Sequence, residues 1–410
     1  MGSSAVKSAT VRRVLSGELC VGCGLCAGIS SGSITMTPEP PGYARPRQVA
    51  PIPRPVEAKI AAACPGATVA PWPGGARVHP YWGPWRSIHT GAAKSPAVRF
   101  EGSSGGAISA LLIHALSTGR VDRVLHVGPD PADPTRNATV ISRTAEEILA
   151  RAGSRYAASS PLESIRDVLA EPGRTAFVGK PCDISALRNL AQLEPSISEK
   201  IPLMISFFCG GIPSFAGVER ILAALDVKRA DVTEFRFRGR GWPGNCTAVT
   251  PTGVAEMSYA ESWGGHLSKE VQFRCKICPD AVGGVADIAC ADAWYGDDDG
   301  YPSFDEQEGR SLIICRTPAG ESLLKSAVGA SELDVEPLEV GEIERMQPSQ
   351  ARRKRVIFSR TAALPVSLQP QPKMAGLRIV EAARRASFGE AVRNFLGTLR
   401  RTLRGTRSRL

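Results

Sequence analysis

From about residue 95 onward, short β-branched apolar runs alternate with stretches whose apolar positions recur every three or four residues. Val121–Val127, Thr175–Val178, Ile201–Phe208 and Leu312–Cys315 read as buried strands. Between them, Gly105–Ser117, Leu162–Ala170, Ile184–Gln192 and Phe215–Leu225 carry helical spacing, with Pro161 where a helix could begin. Strand–helix alternation of this kind predicts an α/β core with a mixed or largely parallel sheet. No internal repeat of fixed period is present. The longest apolar stretches, around Gly105–Leu116 and Ile201–Cys209, are too short and interrupted to cross a bilayer, so no transmembrane helix is expected.

The pattern changes at both ends. Up to about residue 75 the chain has four cysteines and two Pro-rich passages, Pro38–Pro41 and Pro46–Pro55, which break regular structure repeatedly. Pro71–Trp85, rich in Pro, Gly and Trp, reads as a linker. Three units are therefore expected: residues 1–75, residues 90–350 and residues 351–410.

Charge sharpens this division. The formal charge is +10, but residues 351–410 hold 15 Lys/Arg against two Asp/Glu, which leaves the first 350 residues at roughly −3. The body lacks the basic footprint of a nucleic-acid binder, and no recognition motif is present, so no nucleic-acid partner is expected. In the basic segment, Phe388, Val392, Phe395 and Leu399 recur at helical spacing from residue 376 onward, among Arg384, Arg385, Arg393, Arg400, Arg401 and Arg404. Such a basic amphipathic helix can lie on an anionic membrane surface, dock on an acidic partner, or cover the protein's own core. Met1–Thr10 lacks the apolar run of a secretory signal, which makes the cytoplasm the default, with peripheral membrane contact through the 376–410 helix as the variant.

Eleven cysteines, several in Cys-x-x-Cys spacing, argue in a reducing compartment for metal binding rather than disulfides. Cys20-Val-Gly-Cys23-Gly-Leu-Cys26 puts three thiolates on one loop, with Gly22 and Gly24 able to curl the backbone around an inorganic cube. A remote Cys64-Pro65 supplies a fourth ligand in the form found in bacterial ferredoxins. The four together read as a [4Fe–4S] site; the alternative is structural zinc, whose sites more often show two separated Cys-x-x-Cys knuckles.

Further on, Gly179-Lys180-Pro181-Cys182 and Cys209-Gly210-Gly211-Ile212-Pro213-Ser214 follow successive strands, so both cysteines would sit at carboxyl ends of strands, where open sheets place ligands. Cys275 and Cys278 add a pair. With the ferredoxin-type run, Ser103-Ser104-Gly105-Gly106, Gly153-Ser154-Arg155-Tyr156 and Phe235-Arg236, these motifs make residues 15–350 resemble the coenzyme F420 hydrogenase/dehydrogenase beta-subunit family, which also includes 7-hydroxymethyl chlorophyll a reductase. The resemblance implies a ferredoxin-like iron–sulfur domain, an α/β domain binding FAD, and a second [4Fe–4S] cluster on Cys182, Cys209, Cys275 and Cys278. It implies a flavin-dependent oxidoreductase taking electrons from a donor such as ferredoxin or reduced F420 and passing them to a small-molecule substrate. An electron-transfer subunit without substrate chemistry, or a zinc-stabilised binding protein, are the alternatives.

Within that implication, Ser104, Gly105 and Gly106 open a helix whose N–H groups could hold a flavin pyrophosphate. Arg155 could pair with a phosphate, Tyr156 could stack on a ring, and Lys180 could hydrogen-bond the isoalloxazine. No catalytic acid or base is singled out beyond His266 as a candidate near the flavin. Cys246 could compete for a ligand position, Cys290 and Cys315 read as core, and Asp297–Asp299 before Gly300 read as a solvated loop rather than a metal site. Ala291-Asp292 departs from the family's usual Gly before Asp.

Overall fold

A computed structural model of the chain describes residues 5–74, 77–296 and 303–405. Its centre is an eight-stranded sheet: β1 (Ser87–Ala93), β2 (Arg123–Asp130), β3 (Asp133–Ser142), β4 (Thr175–Gly179), β5 (Leu203–Phe207), β6 (Ile288–Asp292), β7 (Ser311–Cys315) and β8 (Leu333–Pro337). The spatial order is β8-β1-β7-β6-β5-β4-β2-β3. β2, β4, β5 and β6 run parallel, while β3 closes one edge and β7, β1 and β8 the other in antiparallel pairing. The four strands expected from the sequence are all in it.

Among the helices of the described residues, five matter below: α1 (Arg54–Ala63), α2 (Ala107–Ser117), α3 (Pro181–Leu193), α4 (Pro348–Val366) and α5 (Phe388–Leu403). Successive strand residues point to opposite sheet faces. Val124, Ala176, Ile205 and Ile313 pack under α2 (Leu111, Ala115), whereas Leu125, Phe177, Met204 and Ile314 face α3 (Ile184, Leu187, Leu190). The strands are therefore apolar on both sides, as a covered parallel sheet requires. The turn into α3 is tight because Pro181 pre-sets the first helical φ and the Asp183 carboxylate accepts the Lys180 backbone N–H at 3.0 Å.

Two boundaries differ from the sequence reading. Residues 5–74 do not form a separate lobe: Val11, Leu25, Ile34 and Ile60 share one buried cluster with α3 and the sheet. The expected linker is also part of the core. It carries a hairpin (Arg77–His79 with Gly83–Trp85), and Trp72, Tyr81 and Trp82 are buried, with Trp72 Nε1 donating to Asp280 at 3.1 Å. Burial of three large aromatic side chains anchors this irregular segment in the core.

The basic segment is two structures rather than one tail. α4 enters the core, where Lys354 is buried, donating to the carbonyl oxygens of Pro279 (2.5 Å) and Leu377 (2.7 Å) with its ammonium 4.0 Å from the centre of the Trp72 ring. α5 lies parallel to α4 on the outside, tied by Arg355 to Glu390 (3.1 Å) and Arg360 to Asn394 (2.9 Å). No described helix is long and apolar enough to cross a membrane.

Candidate functional site

The first thiol set forms where a short loop meets a helix end. Cys20 and Cys23 lie on the loop between the helices Ala9–Ser16 and Leu25–Gly28, Cys26 is within the second, and Cys64 caps the C-terminus of α1. The loop needs its glycines: Gly22 and Gly24 have φ of 76° and 84°, and a Cβ on Gly24 would stand 2.8 Å from the Glu163 nitrogen. Burial pushes all four thiol pKa values up, and the thiols raise one another further: Cys64 acts on Cys23 and Cys26, and Cys20 acts on Cys64, which reaches about 11.

The second set is assembled from three distant segments. Cys182 lies in the first turn of α3, Cys209 just past β5, and Cys275 and Cys278 on a short helix and the loop after it. All four line one chamber with Val21, Arg274, Arg353 and Asp280. The Ile212 N–H donates to Cys275 Sγ at 3.4 Å. Burial, then Cys275, raises Cys209 to about 12, against the lowering effect of Arg353. The second four thus line one chamber, while the first four act on one another electrostatically. Among the described residues no three His, Cys, Asp or Glu form a group that could hold a metal ion as they stand.

A cavity of about 250 Å³ opens at the carboxyl ends of β2, β4, β5 and β6. Ser104, Gly106, Arg155, Tyr156 and Lys180 all line it. Gly105 stands behind: its N–H donates to Ser311 Oγ at 3.0 Å and its carbonyl accepts from Ala93, so its own amide is already taken. The N-terminal residues of α2, Gly106 to Ser109, supply the wall instead. Arg155 spends its donors on Asn137 Oδ1 (2.9 Å) and the carbonyl oxygens of Phe235 (2.9 Å), Pro134 (2.8 Å) and Arg136 (2.6 Å), which makes it a tie between β3 and the strand Glu234–Arg236. Tyr156 packs among protein rings, tilted at 4.9 Å from Trp263 and edge-on at 5.8 Å from Phe237.

Lys180 is buried on the cavity wall, 2.8 Å from Asp183 Oδ2 and 3.0 Å from Ser159 Oγ. Burial alone would lower its pKa, but the Asp183 carboxylate and the nearby Cys182 and Cys209 reverse this, so the ammonium stays charged. Asp183 is itself a neighbour of Cys23, and its second oxygen has no hydrogen-bond partner. The Lys180–Asp183 pair therefore stands between the first thiol set and the cavity, and Cys209, Gly211 and Ile212 are shared by the cavity and the second chamber.

Four wall residues were not singled out from the sequence as site candidates, His126, Asn137, Arg151 and Ser311, and Asp292, noted there only beside the departure at Ala291, also lines the cavity. Asp292 is held by Arg238 in a two-pronged pair at 2.9 and 3.0 Å and by Trp242 Nε1 at 2.8 Å. Arg353, a wall residue of the second chamber, was hidden in the basic segment. His266 does not line the cavity. Cys246 sits apart, in the middle strand of a three-stranded sheet, while Cys290 and Cys315 are buried strand residues, Cys290 also touching the cavity. Asp297–Asp299 lie outside the described residues.

Known proteins supply an independent comparison. Two family models of the coenzyme F420 hydrogenase/dehydrogenase beta subunit match the chain, that of its N-terminal part over residues 88–166 and that of its C-terminal part over residues 173–340. The chain is 23% identical over 298 residues to the coenzyme F420 hydrogenase subunit beta of Methanothermobacter thermautotrophicus, covering 69% of this chain and 98% of that one. It is 29% identical over 241 residues to the F420-dependent formate dehydrogenase 1 subunit beta of Methanococcus maripaludis, 57% of each chain. With the coenzyme F420-dependent sulfite reductase of Methanocaldococcus jannaschii it shares 26% over 274 residues, 62% of this chain and 40% of the other. In solved structures, a chain of the F420-reducing [NiFe] hydrogenase complex of Methanosarcina barkeri has the same fold, with a TM-score of 0.56 at 19% identity over 73% of this chain and 99% of that one.

Proposed function

The chain belongs to the coenzyme F420 hydrogenase/dehydrogenase beta-subunit family, and from that premise we propose that it is an iron–sulfur flavoprotein oxidoreductase. In this reading Cys20, Cys23, Cys26 and Cys64 hold one [4Fe–4S] cluster, Cys182, Cys209, Cys275 and Cys278 hold a second, and the cavity over the strand ends holds FAD. One observation carries it: the cavity and the second thiol chamber share Cys209, Gly211 and Ile212 as a common wall. When bound, such clusters supply single electrons and a flavin joins them into two-electron chemistry.

The donor set fits. Burial raises the proton affinity of Cys20, Cys23, Cys26, Cys64, Cys182, Cys209 and Cys278, which are therefore costly as bare thiolates, and binding to a cationic iron core would release their protons and remove that cost. Around the second set, Arg353 and Arg274 lower the pKa of Cys278, and the backbone N–H of Ile212 meets Cys275 Sγ, the kind of hydrogen bond that tunes a cluster. At the cavity, the buried Lys180 ammonium supplies a fixed positive charge and α2 its N-terminal amides. Arg155 and Tyr156 act by holding the Gly153–Tyr156 loop in place, and the Lys180–Asp183 pair bridges the first thiol set to the cavity.

Electrons from a donor protein such as ferredoxin, or from reduced F420, would arrive at the first set and leave through the cavity to a small-molecule substrate. A second reading is an electron-transfer subunit of a larger redox complex, favoured by the relatives that are named beta subunits. Anaerobic purification with iron, acid-labile sulfide, zinc and flavin analysis tests both. Stoichiometric zinc without labile sulfide overturns the proposal, and two clusters without flavin selects the subunit reading. Reduction assays with reduced ferredoxin, NAD(P)H and reduced F420 then identify the donor.

A further inference from the structure

α5 has its polarity inverted with respect to the body. A surface helix normally buries its apolar stripe. Here the face packed on α4 is polar: Asn394 pairs with Arg360, Glu390 with Arg355, and Thr398 and Thr402 are buried with their hydroxyls turned back to helix carbonyls. The apolar positions Phe388, Val392, Phe395, Leu396, Leu399 and Leu403 recur at three- and four-residue spacing along a different flank. Phe388 is 85% exposed, Leu396 54% and Leu403 68%.

Beside that flank runs a row of cations. Arg393, Arg400 and Arg404 follow the same spacing on the far edge of the stripe and are exposed. Among the described residues none of the three has a carboxylate within ion-pair distance, whereas the two acids of this segment are both engaged, Glu381 with Arg378 and Glu390 with Arg352 and Arg355. A row of one sign along the free edge of an apolar stripe differs from a protein interface, whose rim mixes polar groups of both signs. It is the arrangement that places acyl chains under the stripe and anionic headgroups beside the guanidiniums.

We propose that the outer face of α5 is a docking surface for an anionic lipid bilayer, with Phe388, Leu396 and Leu403 entering the headgroup–acyl boundary and Arg393, Arg400 and Arg404 meeting lipid phosphates. The polar contacts with α4 keep the helix on the body while its apolar flank stays free. The helix lies along the surface and does not span it.

The test is sedimentation of the full-length, cofactor-loaded protein with phosphatidylcholine vesicles, with and without phosphatidylglycerol, at low and high salt. The protein is expected on the phosphatidylglycerol vesicles alone, less so as salt rises. Phe388→Glu with Leu396→Glu and Leu403→Glu abolishes the association. Arg393→Gln with Arg400→Gln and Arg404→Gln weakens it roughly a hundredfold. Melting temperature, iron and flavin content stay at the parent values in both, because all six side chains point away from the body. Absence of vesicle binding, equal binding to both vesicle types, or binding that survives the three Glu substitutions overturns the proposal. So does a salt-labile dimer abolished by the same substitutions without vesicle binding, which would assign the face to a second copy. Failure here leaves the redox reading untouched, since metal and flavin are measured separately.

Discussion

Arg353 donates one guanidinium N–H to the main-chain oxygen of Cys209 at 2.7 Å and another to that of Cys275 at 3.2 Å, and so ties two of the three segments that form the second thiol chamber. Gln350, one turn earlier on α4, adds a bond to the Cys209 oxygen at 3.1 Å. Arg353→Met removes both guanidinium bonds and the charge that lowers the proton affinity of Cys209 and Cys278. The expected cost is about 1–3 kcal/mol, read as a lower denaturation midpoint and loss of iron from the second site with the first retained. Unchanged iron content would show that α4 does not support the chamber.

The two thiol sets should fail independently. Cys64→Ser and Cys278→Ser are each expected to remove about half of the iron and acid-labile sulfide, with different electron paramagnetic resonance signals surviving in the two variants. Cys246→Ser, altering a thiol that lies in neither group, should keep both signals. Equal iron loss in the Cys246 variant would break the assignment of ligands.

Lys180 and Asp183 test whether a buried pair serves the fold or the ligand. Lys180→Met leaves the Asp183 carboxylate buried without its counter-ion, a loss of about 3–5 kcal/mol. Lys180→Met with Asp183→Leu should recover most of that stability, because no buried charge is left. Flavin content, measured by absorbance after anaerobic purification, should stay low in the double variant. Recovery of flavin along with stability would make the pair purely structural.

Gly106 opens α2 with φ of 73°, and a Cβ there would stand 2.7 Å from the Val98 carbonyl oxygen. Gly106→Ala therefore combines a left-handed backbone penalty of about 1–2 kcal/mol with a displacement of the cavity wall. Lower flavin occupancy at unchanged iron content is the expected result.

Acid stability should depend on His126. Burial and then Arg151 lower its pKa to about 4, and its ring nitrogen meets Ser142 Oγ at 2.8 Å. In the unfolded chain the group takes up a proton near pH 6.5, so between about 6.5 and about 4 the unfolded state binds more protons and stability falls as pH falls. The contribution is fully present above the unfolded pKa and is lost towards the folded one, at most on the order of 3 kcal/mol. His126→Gln should flatten the pH dependence of the urea midpoint in that window; an unchanged slope would assign the acid sensitivity elsewhere.

What the sequence determined by itself was whatever depends on near neighbours. Cys20, Cys23 and Cys26 are legible because one loop carries them, and the strands from Arg123 to Cys315 because β-branched runs buried on both faces leave a continuous apolar signal. Cys182 and Cys209 were legible as strand-end residues, since the turn motifs accompany them. Tertiary structure alone decided the rest. Arg353 and Lys354 look like part of a basic tail until the carbonyl oxygens of Cys209, Cys275 and Pro279 are brought to them, because main-chain acceptors leave no mark in side-chain pattern. Trp72 and Trp82 look like linker residues until the core that buries them exists. On α5 the periodicity foretold an amphipathic helix, but periodicity is the same whichever side faces out. Only the pairing of Glu390 with Arg355 and of Asn394 with Arg360 turned the polar side inward and the apolar flank to the surface.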